Sequence, residues 1–103
     1  MNNIEKAEEL FRNYKLDESR EIIDDILESD PNNLKALIIL GKIHSRSQNY
    51  GEAMNFFNRV LELDTDNQDA IVGIKLIKNI LQLANNYYYE NPYTDDDLYD
   101  FNK

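Results

Sequence analysis

Residues 18–29 read ESREIIDDILES, with Ile22, Ile23, Ile26 and Leu27 at i, i+1, i+4 and i+5 and charged side chains in the gaps. That spacing puts the apolar residues in one stripe on a helix of 3.6 residues per turn, whereas a half-buried strand would alternate. Stripes of the same period recur along the chain and predict five helices, over about 3–13, 18–29, 33–47, 51–63 and 67–86. Asp17 is expected to cap the second helix. Asp30-Pro31 ends it, because the residue before proline is pushed out of the α region. The fifth helix is expected to start after Asp66 or Asn67. Short loops make neighbouring helices antiparallel. With three Gly and two Pro in 103 residues, the turn punctuation of a β-sandwich is missing. The fold class is all-α.

The stripes repeat. Set 34 residues apart, LDESREIIDDILESDPNN (16–33) lies over YGEAMNFFNRVLELDTDN (50–67). Glu18 meets Glu52, Leu27 meets Leu61, Asp30 meets Asp64 and Asn33 meets Asn67, while Ile22, Ile23 and Ile26 meet Phe56, Phe57 and Val60. The same offset carries Ile4 onto Ile38, Ala7 onto Gly41 and Arg12 onto Arg46, then Ala36 onto Ala70, Leu37 onto Ile71 and Leu40 onto Ile74. One register therefore holds over three segments without a gap, and each unit reads as two helices. Small residues (Ala7, Ser19, Gly41, Ala53) stand where two helices must cross closely. Ile23, Leu37, Leu40 and Phe57 fill the space beside them.

A 34-residue pair of helices with this pattern resembles the tetratricopeptide repeat (TPR). The second unit carries the resemblance best: Leu40-Gly41 matches the family's Leu-Gly pair, and Ala53 and Phe57 match the small and aromatic positions of its second helix. Leu37 stands where Trp is common, His44 where Tyr is usual, and Thr65 where Pro is usual. The first unit keeps Pro31 and the small-small-large set Ala7, Ser19 and Ile23, but has Asn3 and Lys6 in place of Trp and Leu. The resemblance implies an α-α superhelix of antiparallel helix pairs. It would comprise a TPR-like domain over 1–86, with repeats at about 1–33 and 34–67, a capping helix at about 67–86, and an acidic, tyrosine-rich tail over 87–103.

The resemblance further implies that the first helix of each unit lines a concave face that binds a peptide or helix of another protein. The first unit would supply Ile4, Glu8, Phe11 and Arg12. The second would supply Lys35, Ile38, Ile39, Lys42, Ser45 and Arg46. Val72, Leu76 and Asn79 would come from the fifth helix, together with Asp69, Gly73 and Ile80. That face would be apolar with a basic strip from Lys35, Lys42 and Arg46, although the isoleucines read equally as core. Members that bind chaperone tails clamp a C-terminal carboxylate with Lys and Asn from the first helices. This chain has Ile4 and Glu8 at the corresponding places of the first unit, so that ligand is not expected.

The fifth helix is unusually apolar for an end cap. Its polar residues Lys75, Lys78, Asn79, Gln82 and Asn86 share one narrow face, and Ile71, Val72, Ile74, Leu76, Ile77, Ile80, Leu81 and Leu83 cover most of the rest. A terminal repeat element needs a polar outer side. Either a second copy of the chain or its own tail is expected to cover this one. In the tail, Thr94 and Asp97 have capping-box spacing, Asp95–Asp97 would occupy a first helical turn, and Leu98 and Phe101 would share a face. The YYY run at 87–89 either extends the fifth helix or packs beside it.

Charge and composition narrow the function classes. The net charge is −9, with −6 on residues 1–33, zero on 34–67, +1 on 68–86 and −4 on 87–103. An acidic chain without a basic stripe is a poor nucleic-acid binder, because phosphate affinity comes mainly from Lys and Arg. No run approaches the ~20 apolar residues of a membrane span. The start, MNNIEKAEEL, is unlike a secretory signal, so a cytoplasmic setting is expected. Without cysteine, disulfides and thiolate metal sites are excluded. His44 is the one histidine and reads as a packing residue in place of the family's Tyr. Asp95-Asp96-Asp97 lacks the alternation and the Gly of a calcium loop. No phosphate loop or nucleophile elbow is present, so neither enzyme activity nor a cofactor is expected. The expected function is a non-catalytic protein-interaction module, and the alternative is a structural unit whose apolar surfaces drive homo-oligomerisation into a homodimer.

Overall fold

The computed structural model describes the backbone of residues 2–89 and the side chains of residues 2–84. Among the described residues five helices follow one another: α1 (Asn3–Arg12), α2 (Leu16–Ser29), α3 (Leu34–Arg46), α4 (Tyr50–Leu63) and α5 (Gln68–Tyr89). No strand occurs among the described residues. The 87–89 run continues α5. The short helix expected after Thr94 lies outside the described residues.

The turns copy one another, as the sequence offset requires. Asn33 Oδ1 accepts from the Ala36 N–H at 2.9 Å, and Asn67 Oδ1 accepts from the Ala70 N–H at 2.9 Å. Each capping amide also donates to an aspartate three residues earlier, Asp30 at 3.1 Å and Asp64 at 3.2 Å. Both asparagines therefore satisfy one of the orphan N–H groups of a helix start while being held in place themselves. Asn2 does the same for α1 through the Glu5 N–H at 2.8 Å.

The turns inside each unit are built differently. Asp17 does not cap α2: the helix starts at Leu16, one residue earlier, from Lys15, which makes no side-chain cap. The reason lies in how α1 ends. Tyr14 adopts left-handed φ 62°, the Tyr14 N–H reaches Phe11 O at 3.0 Å, and the Lys15 N–H reaches Leu10 O at 2.9 Å. This is the helix-closing motif that normally takes glycine. It reverses the chain so tightly that Leu16 already packs on the core. Gln48 repeats it 34 residues later with φ 66°, bonding to Ser45 O at 3.1 Å, and the Asn49 N–H bonds to His44 O at 2.8 Å. A left-handed residue with a Cβ costs roughly 1–2 kcal/mol. Glycine returns part of that gain as chain entropy lost on folding. Gln48→Gly should therefore raise the unfolding free energy by up to about 1 kcal/mol in a urea titration. Tyr14→Gly should gain less, because the Tyr14 ring has a second contact described below.

The core has two parts with α3 between them. Ala7, Ile23, Ala36, Ile39, Leu40 and Ile43 close the α1–α2–α3 side, and Leu37, Ile38, Ala53, Phe57, Val60, Ala70 and Ile77 close the α3–α4–α5 side. α3 touches all four other helices. It is buried on most of its circumference because it is apolar on most of its circumference. At the α1–α2 crossing, buried Ser19 donates its Oγ–H to Ala7 O at 2.7 Å, so its hydroxyl is satisfied inside the core. Phe57 of α4 enters between α3 and α5, where only glycines admit it. A Cβ on Gly41 would lie 2.8 Å from the Phe57 ring, and one on Gly73 would lie 2.7 Å from it.

Candidate binding groove

α1, α3 and α5 share one side of the molecule, and there they enclose a groove of about 480 Å³. The buried Phe57 ring lies beneath its floor, between the two glycines that flank it. The α5 wall is Val72, Leu76 and Ile80, the α1 wall is Phe11, and Lys42, Ser45 and Arg46 line the α3 edge. Asp69 sits at the α5 N-terminal end. Val72 and Leu76 are 60% and 54% exposed although they are large and apolar. Contiguous exposed apolar side chains of this kind mark interaction sites.

Arg46 is held rigidly. Its Nη1–H donates to Phe11 O at 3.2 Å, and its guanidinium lies 4.2 Å from the centroid of the Phe11 ring and 4.5 Å from that of Tyr14. The left-handed conformation of Tyr14 turns its ring, 73% exposed, onto the cation. A guanidinium stacked on aromatic faces is pre-organised and keeps its remaining N–H donors directed outward. Lys42 stands one helical turn earlier on the same α3 edge. Neither cation makes an ion pair among the described residues, where Arg20 pairs with Asp24 at 3.8 Å and His44 Nδ1 contacts Glu52 at 3.3 Å.

Of the residues expected on the concave face, Phe11, Lys42, Ser45, Arg46, Asp69, Val72, Gly73, Leu76 and Ile80 come together in this groove. Ile38 and Ile39 do not line it. They are 7% and 5% exposed and belong to the two halves of the core, because the central helix buries them. Ile4 is half-buried against the α1–α3 core. Glu8 and Arg12 line a separate acidic depression with Glu5 and Glu9. Lys35 and Asn79 are exposed but stand outside the groove. Phe57 is a core residue, as the sequence predicts, and its ring also borders the groove, whereas the sequence assigns Tyr14 no role. Phe57 reaches the groove only because Gly73 leaves an opening. Tyr14 reaches Arg46 only through its unusual backbone angle.

His44 is a packing residue: it is buried, stacks on Phe56 with ring centroids 5.4 Å apart, and holds Glu52 through Nδ1. Among the described residues, no group of three or more His, Asp or Glu side chains is placed to hold a metal ion. No helix among them is long and apolar enough to cross a membrane.

Two helix pairs in one register, capped by a further helix and leaving a groove along their first helices, have a counterpart among known families. Residues 10–75 match the family model of the tetratricopeptide repeat. The chain belongs to the TPR family. No curated protein and no solved structure matches it. TPR domains are protein–protein interaction modules and are typically non-catalytic, so the membership implies protein partners for this chain.

Proposed function

We propose that this TPR domain is a non-catalytic module that binds a peptide or helix of a partner protein in the α1–α3–α5 groove. The observation that carries the reading is the juxtaposition of exposed Val72 and Leu76 with Lys42 and Arg46, which make no ion pair among the described residues, across one channel. Apolar side chains of the ligand would supply the affinity. The two cations would set its polarity by favouring an acidic residue beside the apolar anchor. Asp69 would disfavour a second acid at the other end.

Selection of a random peptide library displayed on phage tests this. Peptides recovered on the wild-type protein should lose at least tenfold in affinity for Leu76→Glu, roughly 1.4 kcal/mol or more, because the substitution puts a charge on the apolar wall. Leu76 is more than half exposed, so the melting temperature of the variant should hardly move. Peptides that bind Leu76→Glu as well as wild type would contradict the groove assignment.

A second reading has its own support. Leu81 and Leu83 are exposed on α5 beyond the groove, as they would be if the helix packed on a copy of itself. Light scattering separates the two readings, since self-association demands a stable dimer and the open groove is compatible with a monomer.

A further inference from the structure

We propose that the groove has an occupant in this same chain, the acidic and aromatic segment 93–101, which a partner must displace. The proposal rests on the groove being the binding site and adds how access to it is controlled.

Chemical complementarity is the first support. The groove presents two cations on its α3 edge, Lys42 and Arg46, and neither is neutralised by an acid among the described residues. Its walls are apolar and open. The segment YTDDDLYDF carries Asp95, Asp96, Asp97 and Asp100 with no basic residue, interleaved with Tyr93, Leu98, Tyr99 and Phe101. Acids for the basic edge and large apolar side chains for the walls thus occur in one nine-residue stretch. The body of the chain from residue 34 to 86 has a near-neutral balance, and beyond the described helices this stretch concentrates the acids that its cations would attract.

Reach is the second support. α5 is described as far as Tyr89, and its groove residues Ile80 and Leu76 lie nine and thirteen positions earlier. At 1.5 Å per residue those are about 14 and 20 Å back along the helix. Residues 90–98 span up to about 30 Å when extended, enough to bring Leu98 alongside either side chain. Pro92 has no N–H to carry α5 onward, which favours a change of direction at the start of that span. Arg46, stacked on Phe11 and Tyr14, is already arranged to receive a carboxylate.

The test compares amide proton–nitrogen spectra of the full chain with those of a full-length variant carrying Asp95→Asn, Asp96→Asn, Asp97→Asn, Leu98→Ser and Phe101→Ser. All five substitutions fall after the five described helices in the sequence, so both proteins should fold alike. The expected result is displaced resonances at Phe11, Lys42, Ser45, Gly73 and Leu76, with the same displacements after tenfold dilution. Lys42→Glu, at an exposed position, should in turn displace the resonances of residues 95–100. Differences confined to the tail overturn the proposal. Differences that vanish on dilution also overturn it, because they place the segment on a second copy. Failure here is separable from failure of the groove reading. Spectra unchanged in the groove remove the tail as occupant, whereas selected peptides that ignore Leu76→Glu remove the groove as a binding site whatever the tail does.

Discussion

Phe57→Ala should destabilise the protein by about 3–5 kcal/mol, the range for deleting a buried aromatic ring. Phe57 is the largest fully buried side chain among the described residues, and it joins α4 to both α3 and α5. Its loss empties a space that the neighbours cannot close, because Gly41 and Gly73 offer no side chain to collapse into it. Domains of this size hold only about 5–15 kcal/mol in total, so much of the margin should disappear. A urea titration followed by helical circular dichroism reads the effect as a lowered midpoint. An unchanged midpoint would mean that α5 is held by something other than this ring.

Gly41→Trp should cost as much as the most severe overpacking changes, about 3 kcal/mol or more. Even a methyl group at Gly41 would come within 2.8 Å of the Phe57 ring, and an indole has to displace it. The same titration provides the contrast. Gly51 has open space where its Cβ would be, so Gly51→Ala should gain up to about 1 kcal/mol from helix propensity alone. The two glycines also separate packing from register. Gly41→Leu placed in the Phe57→Ala background should recover part of the lost stability, because the added side chain enters the vacated space. Such coupling is expected only between residues in contact. Strictly additive effects would show that Gly41 and Phe57 do not face one another.

Helix number, order and approximate ends were legible because two signals agreed, the apolar period and the 34-residue offset, whereas the caps at Asn33 and Asn67 emerged only in the structure. The offset also pointed to Gly41 as a close crossing. It was silent on Gly73, whose equivalents are Ile39 and Glu5. α5 has no following helix in register, so the contact that its glycine makes with Phe57 is not a copy of any earlier one. The turn at 14 was misread for a related reason. Tyr14 and Gln48 occupy backbone angles that usually announce themselves by glycine, and a tyrosine there carries no such signal. Asp17 was then the nearest residue with the chemistry of a cap. The apolar face of α3 shows the limit of periodicity. Ile38 and Ile39 satisfy the pattern of a binding face and of a core equally well, and only the packing of α1 on one side and α5 on the other decides that they are core. Phe11, Lys42, Arg46 and Leu76 could be assigned to one surface through the resemblance to the TPR family. Their union with Tyr14 depends on tertiary placement.

The central claim is that partners are held between α1, α3 and α5, and amide resonance mapping with a selected peptide tests it most directly. On titration of the peptide into the full chain, the account predicts progressive shifts concentrated at Phe11, Lys42, Ser45, Val72, Gly73 and Leu76, all abolished by Leu76→Glu. Shifts concentrated instead on the outer faces of α2 and α4, at residues such as Glu21, Asp25, Asn55 and Glu62, would contradict it.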